Sequence, residues 1–255
     1  IREFRNELVK SHFLLYLYKE LANHESVQKP ENLHRLASLA ASQAGEELRY
    51  TDISEQLEVD RRTIDTYLDA LDQGLAVTES HDYSLRRYRR TRLYLRNPRH
   101  VVLLSSRAQH YGFESYEEEN VFNPEFEYQL ARTVGFDHAM RLAHAVDAYD
   151  VEYCETDVGT VDYILQREET VLPFVLSYHP HTGDAEEIAT EFDPDVGQHT
   201  KQSEEQVQEY DYETPYRFIV TDSLPRNLKE SESLVEERNG IRLCYLPYWL
   251  FILIC

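Results

Sequence analysis

The stretch Thr51 to Gly74, TDISEQLEVDRRTIDTYLDALDQG, decides how the first half of this chain is read. A hydroxyl satisfies the otherwise unpaired N–H groups of a first helical turn, so Thr51 is expected to cap a short helix that runs to Leu57. Glu58-Val59-Asp60 then makes a tight turn. From Arg61 to Gln73 the apolar residues Ile64, Tyr67, Leu68 and Leu71 recur at the spacing of one helical face, and Gly74 is placed to close that helix.

Outward from this core, Asn32 to Ala44 reads as a helix ended by Gly45, and Ile1 to Ala22 as an amphipathic helix carrying Leu8, Phe13, Leu14, Tyr16, Leu17 and Leu21. Downstream, Leu75–Thr78 and Thr91–Leu95 alternate like two strands around a basic, tyrosine-containing tip. Helix, short helix, turn, helix and two strands are the parts of a winged helix-turn-helix, whose second short-spaced helix is the recognition element for DNA. Arg61 and Arg62 open that helix.

The 255 residues carry 47 Asp and Glu against 26 Lys and Arg, a net charge of −21, and only five of the 26 bases are lysine. So acidic a chain, poor in lysine, implies a halophilic, cytoplasmic setting, with an acidic mesophile bearing an ordinary anionic face as the alternative, and argues against a protein that coats membranes or nucleic acid through its overall charge. One island departs from this. Arg86 to Arg107 holds eight arginines and no Asp or Glu. Arginine forks match phosphate and guanine as lysine does not, so Arg61, Arg62, Arg86, Arg87, Arg89, Arg90 and Arg92 are the candidate DNA contacts. Tyr83, Tyr88 and Tyr94 lie among them, either to stack on a base or sugar or to fill the underside of the wing.

After a Glu-rich connector, Glu114 to Glu119, the segment Glu125 to Val146 reads as a long helix. Val151–Cys154, Val161–Leu165, Val171–Ser177 and Tyr216–Thr221 read as strands, short, rich in β-branched and aromatic residues and bounded by Gly, Asp and Pro. Gly183 to Thr214, with eleven acids and one lysine, reads as an exposed helix and loop. The expected architecture is α/β (α+β): residues 1–30 a linker helix, 31–112 a winged helix, 120–255 a mixed-sheet domain. Leu243 to Cys255 contains Pro247 and is too short to span a bilayer, so it reads as a buried strand and tail.

Several chemistries have no residues here. The eight glycines form no Gly-x4-Gly-Lys-Ser/Thr loop, so this chain alone is not expected to hydrolyse ATP. The three cysteines show no zinc spacing. His179 and His181 flank Pro180 and read as a solvent-facing loop, while His138 and His144, six apart, do not share a helical face.

The order of the winged helix, VDYIL (Val161–Leu165), VLPFVLSYH (Val171–His179), YRFIVTDS (Tyr216–Ser223) and LPYWLFIL (Leu246–Leu253) resembles the C-terminal half of a prokaryotic AAA+ ATPase family. Those proteins join an N-terminal P-loop ATPase to a winged helix and a restriction-endonuclease-like domain. Members show Glu-Val-Asp-Phe-Val on one strand, Pro-Ile-Glu-Val-Lys on the next, then a Val-Val-Thr strand and an Ile-Pro-x-Trp-Leu-Phe ending. The resemblance covers the chain from about Asn32 onward. It implies a missing N-terminal ATPase domain that uses ATP and Mg²⁺, in keeping with a chain that opens on Ile1 and whose only methionine is Met140.

Carried onto this sequence, Asp162 matches the first-strand aspartate of a PD-(D/E)XK nuclease, where two acids hold Mg²⁺ and a lysine orients the attacking water. The second acid is replaced by Val175, the lysine by Ser177, and the glutamate before Asp162 by Thr160. Glu127 on the long helix matches a helical acid of some members. Asp162 and Glu127 alone make a poor metal site, and pairing Asp162 with Glu168 or Glu169 demands a distorted hairpin. The expectation is a nuclease-like domain that needs no cofactor, does not cut, and accompanies a DNA-binding winged helix. The alternatives are an active metal-dependent nuclease rearranged around Asp162, and a pure protein-interaction module.

Overall fold

The computed structural model describes residues 2–21, 27, 29–84, 90–105, 124–178, 184–197, 212–225, 228 and 233–254. It divides into two units: residues 1–79 with 89–134, and residues 80–88 with 135–255.

The first unit runs α1 (Arg2–Lys19), α2 (Pro30–Ser42), β1 (Glu47–Arg49), α3 (Tyr50–Leu57), α4 (Arg61–Gln73), β2 (Val77–His81), β3 (Arg90–Leu95) and α5 (Pro98–Leu104). Its three strands lie in the order β1-β3-β2, with β1 antiparallel to β3. The core is built from the helical faces that the periodicity picks out: Leu33, Leu36, Ala37 and Ala40 of α2, Ile53 and Leu57 of α3, Ile64, Leu68 and Leu71 of α4. Phe13, Leu17 and Leu21 are buried in the same core. The first helix is therefore part of this unit, although Leu8 and Leu15 on it stay exposed.

Thr51 acts differently from its expected use, whereas Gly74 closes α4 as expected. Thr51 lies inside α3, whose N-cap is Arg49 and has no side-chain cap, since β1 leads straight into the helix. Gly74 is not left-handed; Leu75 takes the positive φ of 52°. Gly74 is instead a matter of space: a Cβ there would stand 2.5 Å from Cδ2 of Leu21, and the Tyr16 hydroxyl donates to its carbonyl at 2.7 Å.

The long helix α6 (Pro124–Ala145) contributes residues to Val134 to the first unit and from Gly135 to the second. The second unit continues with β4 (Val151–Thr156), β5 (Gly159–Arg167), β6 (Thr170–Ser177), α7 (Ala185–Glu191), a 3₁₀ turn (Pro194–Gly197), β7 (Arg217–Thr221), β8 (Val235–Arg238), β9 (Ile241–Pro247) and α8 (Tyr248–Ile254). The six-stranded sheet has the order β4-β5-β6-β7-β9-β8. β4, β5 and β6 form an antiparallel meander, β6–β7 and β7–β9 are parallel, and β8 returns antiparallel to β9. Parallel strands need a crossover, which for β6 to β7 includes α7. Val175, Ile219 and Tyr245 align across the parallel strands and share a core with Ile188 and Ala189 of α7. Phe174 stacks on Phe218 at 4.5 Å and meets Phe251 of α8 at 5.7 Å. The C-terminal stretch expected as a buried strand and tail is β9 followed by a helix. Among the described residues no helix is long and apolar enough to cross a membrane.

Candidate nucleic-acid interface and the Asp162 position

The turn between α3 and α4 is built by local hydrogen bonds. Glu58 ends α3 in the left-handed conformation, φ 56°, and Asp60 caps α4 by accepting the Thr63 N–H at 2.8 Å. That bond holds the Asp60 carboxyl below the usual carboxylate range, and the Arg62 charge adds to the effect. Both Arg61 and Arg62 are exposed on the first turn of α4. At the same end of α3, the Arg35 guanidinium donates to the carbonyls of Gln56 and Leu57, which satisfies helix-end acceptors.

Arg61 is oriented from below. Its guanidinium sits 4.5 Å over the ring of Tyr50 and 4.0 Å from Asp65. The buried Tyr50 hydroxyl donates to Glu79 at 2.6 Å, and burial, with the Glu79 charge behind it, pushes the phenol well above its ordinary pKa. Arg61 faces a cleft of about 750 Å³ lined also by Arg49, Thr51, Ser54, Glu55 and Arg90. Arg49 stands directly opposite Arg90 in the β1–β3 ladder, a pairing of like charges that costs stability in the absence of a counter-charge. Arg90 has one, Glu47 at 2.9 Å. Arg49 is exposed and makes no ion pair among the described residues. Arg49 was missed in the sequence because Glu47–Arg49 is too short to read as a strand.

The rest of the arginine island divides. Arg86, Arg87 and Arg89, with Tyr88, lie outside the described residues. Arg92 is 2% exposed and so not on a surface that meets DNA, a correction to the sequence reading. Tyr83 and Tyr94 are buried as well, which makes them filling and not stacking platforms.

In the second unit, Asp162 is 1% exposed and its Oδ2 accepts the backbone N–H of Leu176 at 2.7 Å. Its place on β5 is special. Val161 and Ile164 pair with Cys154 and Glu152, so Asp162 and Tyr163 together oppose the single residue Tyr153, a β-bulge. Val175 is wholly buried in the core and Ser177 ends β6. Glu168 and Glu169 form the two-residue turn beyond the Arg167–Thr170 pair, and Glu168 is already six residues from Asp162 along the chain. At roughly 3.3 Å per residue that is about 20 Å, too far for one metal ion. Thr160 donates to Glu155 at 2.7 Å. Glu127 belongs to the half of α6 assigned to the first unit. Among the described residues no three His, Cys, Asp or Glu are grouped to hold a metal. His179 and His181 lie outside them.

A family model described as a domain of unknown function (DUF8612) matches residues 2–102, from α1 into α5. No curated protein and no solved structure matches the chain.

Proposed function

We propose that the chain is a DNA-binding module, with α2, β1, α3, α4, β2 and β3 as a winged helix and α4 as the helix that enters the major groove. The reading rests on one observation above others: Arg61 and Arg62 are exposed on the Asp60-capped first turn of α4, beside a cleft lined by further arginines. The element order and the strand order β1-β3-β2 support it, being those expected of a winged helix. A net charge of −21 repels DNA at long range, so binding depends on short-range, forked arginine contacts.

The second unit is, in this proposal, a restriction-endonuclease-like sheet that serves as a scaffold and does not cut. The meander followed by a parallel crossover supports the fold, and the bond from Leu176 to Asp162 supports the inactivity. The parent is an AAA+ ATPase of a halophilic archaeon, a proposal that stands on sequence resemblance and charge alone.

Fluorescence anisotropy with labelled duplex DNA tests the reading. Arg62→Glu is expected to weaken binding at least tenfold while leaving the melting temperature unchanged, and equal binding by wild type and variant would refute it. A second reading, a protein-contact module, is supported by Trp249 and Leu253, 63% and 74% exposed on α8.

A further inference from the structure

We infer that the cleft between β1, α3, α4 and β3 is a phosphodiester site in which Arg49, Arg61 and Arg90 close on one backbone phosphate. The inference rests on the DNA-binding reading and adds to it a residue, Arg49, that lies outside the recognition helix. The antiparallel register sets Arg49 and Arg90 directly across from each other, with Cβ atoms about 5 Å apart. Arg61 reaches the same cleft from α4 and is oriented by the Tyr50 ring beneath it. Three guanidiniums from two strands and a helix thus line one opening of about 750 Å³.

The charge balance selects the ligand. Arg90 is matched by Glu47 and Arg61 by Asp65, so the guanidinium without an ion pair among the described residues is that of Arg49. Glu55 also lines the cleft. With Glu55 counted, three guanidiniums meet three carboxylates, so the cleft offers forked donors without a large excess of positive charge, which suits a singly charged phosphodiester and disfavours a free phosphate dianion. A forked donor supplies two parallel N–H groups to the non-bridging oxygens of such a group.

Salt-dependent DNA titration decides the matter. Arg49→Ala should lower duplex affinity roughly three- to tenfold at about 0.1 M salt, by the same factor for unrelated sequences, and reduce the slope of log K against log salt by about one. Arg49→Lys should keep the slope and lose part of the affinity, and melting curves of both variants should match wild type. Inorganic phosphate at millimolar concentration and fixed ionic strength should not displace the duplex. An Arg49→Ala protein with wild-type affinity and slope overturns the site while leaving the DNA-binding reading intact. Displacement by inorganic phosphate overturns the diester assignment in favour of a free-anion site. A wild-type protein that binds no duplex refutes the DNA-binding reading itself, and this site with it.

Discussion

The carboxylate of Asp162 accepts the backbone N–H of Leu176 at 2.7 Å, just beyond Tyr163–Phe174, the last regular pair of β5 with β6. A side-chain oxygen thus stands where a ladder carbonyl would otherwise be, in a place closed to water. Asp162→Ala strips a buried donor of its acceptor and is expected to cost about 1–3 kcal/mol, read as a lower urea midpoint. Asp162→Asn keeps an oxygen acceptor and should lose less. Mg²⁺ or Mn²⁺ should raise the melting temperature of wild type no more than that of Asp162→Asn. A metal-dependent stabilisation confined to wild type would return Asp162 to metal chemistry.

The helical periods of α2 and α4 were legible because each buries one continuous stripe, and the strands β5 to β7 because they are β-branched runs bounded by turn residues. β1 was not: three residues carry no alternation, and Arg49 gains meaning only from its partner Arg90. Arg92 misled for a related reason. Within an island of arginines, sequence does not tell which side chain is buried, and on β3 every residue from Thr91 to Leu95 is, Arg92 among them. The C-terminal LPYWLFIL splits between strand and helix at Pro247, since an unbroken apolar run carries neither period.

The cap on α4 should show in both stability and binding. Asp60 accepts the Thr63 N–H, and its carboxyl is held below its ordinary value of 3.8 by that bond. A depressed folded pKa means that the stabilisation is complete above the unfolded value and is lost as pH falls through the folded one. Asp60→Ala should therefore melt lower than wild type by a constant margin above pH 5, and the margin should shrink below pH 3.8. Asp60→Asn, which retains the cap, should track wild type at neutral pH. Circular dichroism melts across that range read the difference, and a margin that persists at the lowest pH would contradict the assignment.

His100 predicts a second, separate pH dependence. Its ring centroid lies 4.0 Å from that of Phe13, bringing α5 against α1, and burial, with Arg99 adding, pushes its pKa from 6.5 to about 4. The folded state favours the neutral ring, so stability is complete above the unfolded pKa and falls as pH drops from 6.5 towards 4. Because the ring is only partly buried, the loss is on the order of 1–2 kcal/mol after solvent screening. Denaturant titrations between pH 7.5 and 5, still above the acid range of Asp60, should show wild type losing stability and His100→Phe losing less. Parallel curves would place the dependence elsewhere.

Tyr50 separates two roles within one side chain, because its hydroxyl holds Glu79 while its ring supports Arg61. Tyr50→Phe removes the hydrogen bond and should cost about 1 kcal/mol of stability, yet the ring remains under the guanidinium. DNA affinity should then stay near that of wild type. Tyr50→Ala opens the core and also frees Arg61 to leave the cleft, so affinity should fall several-fold beyond any change in Tyr50→Phe. Measuring both variants at a temperature well below their melting points isolates the orienting role. If the two lose affinity equally, the loss follows the Glu79 bond and the ring does not position Arg61.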